Sequence, residues 1–290
     1  MLLQRVITAL VLAPLVVLAI FKLPHLYFAI VWGIVMLIAA WEWTNLAEVK
    51  TVLGKCLFLL AMLIPMVLLQ FWTQLLEVLA QLSNWPEIRT YSGLIEALVV
   101  PAVVFWLYVM FKIRRAGADL LDIKMGVGKK LFIGGFVLVS AWLFLSRLMI
   151  LEEPSMTLFF FVLIWSADIG AYFAGKKFGK TKLAIEISPG KTLEGLYGAL
   201  VASVVIGLVF TLSFGFSAMS VSDFLMLSVI TVLISVYGDL FFSAAKRIRG
   251  VKDSGTILPG HGGLLDRLDS VIAAVPVFYA GVWFIRWMYS

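Results

Sequence analysis

Charge is scarce in this chain: 14% of its 290 residues are Asp, Glu, Lys or Arg, while 62% are hydrophobic. A soluble domain carries roughly 25% charged residues. Water could not solvate so much apolar surface at a mean hydropathy of +1.05, which excludes a soluble globular protein and implies an integral membrane one. Cysteine is almost absent. Cys56 stands alone, so no intramolecular disulfide forms and its thiol reads as a small lipid- or helix-facing hydrophobe. Long linkers, low-complexity runs and fixed-period repeats are missing too. The segment Met1 to Arg5 and the apolar run after it lack a small-residue cleavage site, and read as a retained first helix.

What is present is a series of apolar stretches. A spanning helix needs roughly 20 mostly apolar residues. Nine stretches qualify with their flanks: 6–21, 26–41, 56–72, 93–111, 131–149, 157–174, 195–215, 222–242 and 270–288. Pro24 marks a tight turn between the first two. The fold class expected is an all-α polytopic membrane protein of about nine transmembrane helices. With the N-terminus cytoplasmic and the C-terminus periplasmic, 19 of the 23 Lys and Arg fall on the cytoplasmic side, leaving Lys22, Arg89, Arg147 and Arg286 outside. The net charge of +6 therefore reports topology rather than nucleic-acid binding. Residues 1–130 form an N-terminal region of about four spans, suited to dimer or lipid contact, and residues 131–290 a catalytic region of about five.

Ionisable groups inside spans are costly and sit against a partner or a cavity. Asp168, in Trp165-Ser166-Ala167-Asp168-Ile169-Gly170-Ala171, and Asp239, in Tyr237-Gly238-Asp239-Leu240, both lie toward the cytoplasmic ends of their spans. A helix–helix hydrogen bond would account for either alone, the small flanking residues suiting close packing. Two at one depth favour a shared site. In Ser188-Pro189-Gly190-Lys191-Thr192 the Gly-Lys-Thr triplet is not a P-loop, because Ile185 stands where that motif needs glycine. Ser188 is expected as N-cap of the next helix with Pro189 at its first position, a start that with Lys191 could hold a phosphate.

The densest segment runs from Ser243 to Asp269. If the preceding span continues as a helix, Asp239, Ser243, Lys246 and Arg247 fall on neighbouring turns of one face. Pro259, Gly260, Gly262 and Gly263 then break any helix and allow close backbone approach to a ligand, and Asp266 and Asp269 share a face if a helix begins there. Carboxylates facing phosphates suit Mg2+, and the cations beside them would balance a triphosphate.

At these residues the chain resembles the bacterial phosphatidate cytidylyltransferases (CDP-diacylglycerol synthases). Their signature runs Ser-x-x-Lys-Arg, four residues, Lys-Asp, then Pro-x-His-Gly-Gly-x-x-Asp-Arg-x-Asp. Ser243, Lys246, Arg247, Lys252, Asp253, Pro259, His261, Gly262, Gly263, Asp266, Arg267 and Asp269 meet every fixed position. The resemblance is close over roughly 160–270 and lies in apolar character alone over the first 130 residues. It implies synthesis of CDP-diacylglycerol and diphosphate from CTP and phosphatidate in the bacterial inner membrane, with the site facing the cytoplasm. It also implies a homodimer and a metal centre of Mg2+, alone or with a monovalent ion such as K+. Carried over residue by residue, Asp239, Lys252, Asp253, Asp266 and Arg267 are the catalytic candidates. Ser188, Lys191, Ser243, Lys246, Arg247 and His261 bind substrate phosphates, and Asp239 and Asp266 lead the metal ligands, with Asp168 and Asp269 supporting.

Two other classes compete. A CTP-dependent polyprenol or phytol kinase would use similar site chemistry but transfer the γ-phosphate, and its product differs. An ion-coupled transporter would place Asp168 and Asp239 between two repeats at the midplane; no repeat is visible and the acids sit toward one face. A CDP-alcohol phosphotransferase is disfavoured because the chain contains no Asp-Gly pair.

Overall fold

A computed structural model describes residues 2–116, 121, 125–215, 218–257 and 262–289. Helix α1 (Leu2–Lys22) and helix α2 (His25–Leu46) join at the expected turn, with Pro24 as N-cap of α2. Then follow α3 (Val52–Gln70), α4 (Trp72–Ser83), a 3-10 turn over Pro86–Gly93, α5 (Leu94–Ala97) and α6 (Val99–Ala116). The second half consists of α7 (Val127–Leu151), α8 (Pro154–Phe178), strands β1 (Lys182–Ala184) and β2 (Ser188–Thr192), α9 (Leu193–Ser213), α10 (Ala218–Ile248) and α11 (Leu265–Tyr289). Each of the nine apolar stretches is largely helical, although 56–72 runs from α3 into α4 and 93–111 is divided between α5 and α6. Among the described residues eight helical segments are long and apolar enough to cross a membrane, and the apolar part of α1 described in full, Val11–Lys22, is shorter.

Several helices outrun their apolar stretches. α10 continues past the expected 222–242 to Ile248, where Gly250 ends it at φ +75°. The Val251 N–H donates to the Lys246 carbonyl (2.9 Å) and the Gly250 N–H to that of Arg247 (2.9 Å), the left-handed cap that glycine favours. Residues 73–92, read as a connection, contain α4, tied to the 3-10 turn by the Arg89–Glu77 ion pair at 2.6 Å and by Trp72 Nε1 donating to the Tyr91 carbonyl at 3.1 Å.

The helix N-cap expected at Ser188 is corrected. Ser188 lies in β2, which pairs antiparallel with β1, Lys182 opposite Thr192 and Ala184 opposite Ser188. Thr192 is the N-cap of α9, its Oγ1 accepting from the Gly195 N–H at 3.1 Å. Both residues have capping hydroxyls; pairing with β1 keeps residues 188–191 extended and moves the helix start four residues on.

Helix α11 is the centre of the bundle. Every residue from Asp269 to Tyr279 is buried, as expected of a helix that is hydrophobic all round. It packs along α10 and also touches α2, α6, α7 and α8. Small residues set the close approaches. A Cβ at Gly170 of α8 would meet the Gly198 carbonyl of α9 at 2.7 Å, and one at Gly238 of α10 would run into Ala273 of α11. The buried residues of both halves make one core, with Trp43 of α2 stacked on Phe241 of α10 at a centroid distance of 6.0 Å.

The two ends of the bundle differ. At one, Arg147 of α7 pairs with Glu96 of α5, which also accepts from the Tyr279 hydroxyl, and Arg286 pairs with Glu152 at 3.3 Å. At the other lie the ends of α2, α8 and α10, the β-hairpin and the start of α11. There the Lys130 hydrogen bond and charge hold the Glu48 carboxyl below the usual range.

Candidate functional site

Three elements bring carboxylates together at the hairpin end. Asp239 projects from α10, Asp269 from the second turn of α11, and Asp168 from α8. The glycine at 238 lets α11 approach α10 so closely that a Cβ there would stand 3.1 Å from the Asp269 carbonyl oxygen. Asp269 is buried and lies within electrostatic reach of Asp239, Lys191 and Lys246. Asp168, exposed at the surface of the chain, is within reach of Asp239, Lys191 and Arg267.

Lys191 is the cation at the middle of this group. β2 aims it at α10, where Nζ sits 2.7 Å from Asp239 Oδ2 and donates to the Val236 carbonyl at 3.1 Å. The hairpin is held in place from the other side. Ile187 at its tip is buried, and its carbonyl accepts from Arg247 Nε at 3.2 Å. Arg247 NH1 also reaches the Val251 carbonyl at 3.2 Å, so the guanidinium bridges the hairpin and the end of α10. The expected face of α10 is present: Ser243 Oγ donates to Asp239 Oδ1 at 3.1 Å, and Lys246 follows on the next turn.

Asp266 belongs to a different arrangement. Its Oδ1 accepts from Lys246 Nζ at 2.6 Å, and its Oδ2 from the Ser254 N–H at 2.9 Å and the Gly263 N–H at 3.0 Å. Its side chain is 6% exposed, against 32% for Asp239. Asp266 and Asp269 leave α11 one turn apart but serve different partners. Lys252, Asp253 and Arg267 are exposed around the loop, and Ser188 is half-buried in the hairpin. His261, with Pro259 and Gly260, lies outside the described residues.

These positions distinguish the four carboxylates as metal ligands. Mg2+ takes hard oxygen donors and is bound through one or two carboxylates plus water and substrate phosphates. Asp239, half open and facing Asp168 and Asp269, fits that chemistry. Asp266 fits it less well: each oxygen of both carboxylates has a partner, but Asp266 is the more enclosed and is also tied to two backbone N–H groups. Among the described residues no three His, Cys, Asp or Glu side chains form a ready-made ligand group.

One residue of the site was missed. Glu42 of α2 is 1% exposed and accepts from Ser254 Oγ (2.9 Å), the Leu264 N–H (3.0 Å) and the Leu265 N–H (2.8 Å). It stands one residue past the expected end of the 26–41 stretch. The rule that drew notice to Asp168 and Asp239, a carboxylate in apolar surroundings, also applies to Trp41-Glu42-Trp43.

Fold and site together define a polytopic helical membrane protein whose polar groups, both cations and carboxylates, converge at one end on a site suited to phosphates. The model of the cytidylyltransferase family matches residues 3–285, and the chain belongs to that family. It is similar to the phosphatidate cytidylyltransferase of Haemophilus influenzae, 36% identical over 290 residues covering 96% of this chain and 97% of that one. That of Pseudomonas aeruginosa is 39% identical over 289 residues, 99% of each chain. That of Bacillus subtilis is 47% identical over 134 residues, covering 44% of this chain and 48% of its own.

Proposed function

We propose that this protein transfers the cytidylyl group of CTP to phosphatidate, releasing diphosphate and forming CDP-diacylglycerol. The observation that carries the proposal is the cluster of Asp239, Asp269 and Asp168 around Lys191, close to Lys246 and the exposed Arg267. Membership of the cytidylyltransferase family and likeness to phosphatidate cytidylyltransferases over nearly the full chain support it.

The chemistry asks little of a base. A phosphatidate phosphate oxygen, already anionic at neutral pH, attacks the α-phosphorus of CTP. A new P–O bond forms, and the bond from the α-phosphorus to the α,β-bridging oxygen breaks as diphosphate leaves. The barrier is the crowding of negative charge, and preorganised cations lower it. Lys191, Lys252 and Arg267 supply that charge. Lys246, held by Asp266, and Arg247, held by Ile187, fix the end of α10 and the hairpin around them. Asp239, with Asp168 and Asp269 facing it, would hold Mg2+, alone or with a monovalent ion such as K+. When bound, Mg2+ would neutralise phosphate charge and orient the triphosphate.

The site lies at the cytoplasmic face of a bacterial inner membrane, where CTP is found. The concentration of Lys and Arg at the hairpin end supports this orientation, and the protein works as a homodimer. Purified protein given CTP, Mg2+ and phosphatidate should form CDP-diacylglycerol and diphosphate in equal amounts. Release of CDP with a newly phosphorylated lipid alcohol would replace the proposal with a lipid-kinase activity.

A further inference from the structure

We infer that Glu42, on the second helix, is a positioning residue for the described parts of the loop between α10 and α11, residues 251–257 and 262–264, holding them where Lys252 and the start of α11 meet the CTP phosphates. This rests on the proposed use of CTP at the site.

A carboxylate 1% exposed is costly to bury and persists only with strong partners. Glu42 has three, all from the loop 254–264 or the first residue of α11. Two are successive backbone N–H groups at the N-terminus of α11, donors left over by the helix and favourable to an anion. The third, the Ser254 hydroxyl, comes from the α10 side of the loop. One side chain of α2 thus fastens both ends of a segment more than 200 positions away in sequence.

The fastening is interleaved with that of Asp266. Ser254 gives its hydroxyl to Glu42 and its N–H to Asp266; Gly263 gives its N–H to Asp266 while Leu264 and Leu265 give theirs to Glu42. The fit is close. A Cβ at Gly255 or Gly263 would run into the Glu42 carboxylate. Lys252 and Asp253 precede this clamp directly, and Arg267 and Asp269 lie on the part of α11 that it caps. Removing Glu42 would therefore release the exposed cations of the loop and loosen Asp266 without touching Asp239, Lys191 or the hairpin.

A structural role alone would lower the amount of active protein and leave the KM for CTP unchanged. A positioning role changes that KM. The test uses the full chain in lipid nanodiscs, with Glu42→Ala, Glu42→Gln and Ser254→Ala. Amide exchange over 251–268 should rise at least about tenfold in Glu42→Ala, which removes all three hydrogen bonds to the carboxylate, with exchange in α7 and α9 unchanged. The KM for CTP should rise by roughly the same factor, with the KM for phosphatidate within about twofold. Glu42→Gln, whose one amide oxygen can keep two of the three bonds while its N–H2 faces the remaining donor, should fall between wild type and Glu42→Ala in both. Ser254→Ala should raise both by about threefold, and it carries the test with Glu42→Gln if Glu42→Ala does not insert. Unchanged loop exchange, or a loss in kcat alone with wild-type KM for CTP, would overturn the inference. Failure of wild-type protein to turn over CTP would instead sink the proposed activity; loop exchange and direct CTP binding by the same variants would still decide the role of Glu42.

Discussion

Replacing Asp266 by asparagine should unfold the protein more readily than the same change at Asp239, although both residues belong to one signature. Asp266 is 6% exposed and holds Lys246 together with the N–H groups of Ser254 and Gly263. Asparagine keeps one acceptor oxygen, turns an N–H2 toward a donor and leaves the Lys246 ammonium without its counter-charge. Removing one partner of a buried ion pair costs about 3–5 kcal/mol. The slight exposure of Lys246 places this pair toward the lower end, about 3 kcal/mol. At about 2–4 °C per kcal/mol for a chain approaching this size, the unfolding midpoint should drop by roughly 6–12 °C. Asp239 is 32% exposed and Lys191 22%. In Asp239→Asn, Lys191 keeps the Val236 carbonyl and the new amide oxygen can still accept from Ser243. That change should cost about 1 kcal/mol or less, a shift under about 4 °C. The assay heats detergent-solubilised protein and follows tryptophan fluorescence together with the fraction that stays monodisperse. Equal shifts for the two variants, or none for Asp266→Asn, would contradict the division between a ligand carboxylate and a fastening one.

Other expectations are more local. Asp239→Asn should abolish Mg2+-dependent turnover while the protein remains folded, checked by activity across a Mg2+ titration; near-normal activity would remove Asp239 from the metal site. Gly238→Ala should push α11 from α10 at a cost of about 1–3 kcal/mol and lower activity with it, since Asp239 and Asp269 would separate; both are read on one purified sample. Thr192→Ala should cost about 1 kcal/mol through the lost α9 cap, whereas Ser188→Ala should leave the melting midpoint in place. Lys191→Met should raise the KM for CTP far more than Lys177→Met, a cation in the last turn of α8 that serves as the control; equal effects would make Lys191 a topological charge only.

Periodicity made the helices readable, and it made Asp239 and Ser243 readable as a pair because four residues on a helix bring side chains together. The approach of Asp269 to Asp239 could not be read the same way. It depends on Gly238 meeting Ala273, a contact between helices that no local pattern encodes. The hairpin at 182–192 was hidden although Leu183, Ile185 and Ile187 alternate along its first arm, because that run is short and the second arm, Ser188-Pro189-Gly190-Lys191-Thr192, carries no large apolar residue to mark a strand. Lys191 was legible as a cation beside a turn, but its aim at Asp239 depends on that hairpin. Glu42 was the clearest loss. Its partners stand more than 200 residues later, and an expected span that stopped at Ala40-Trp41 set it outside the region where a carboxylate draws notice.

The central claim is attack at the α-phosphorus, and the fate of the CTP phosphates tests it most directly. Purified protein supplied with phosphatidate, Mg2+ and CTP labelled at the α-phosphorus should place all the transferred label in the lipid. CTP labelled at the γ-phosphorus should place it only in diphosphate. Label from the γ-position in lipid, with α-label left in CDP, would contradict the claim.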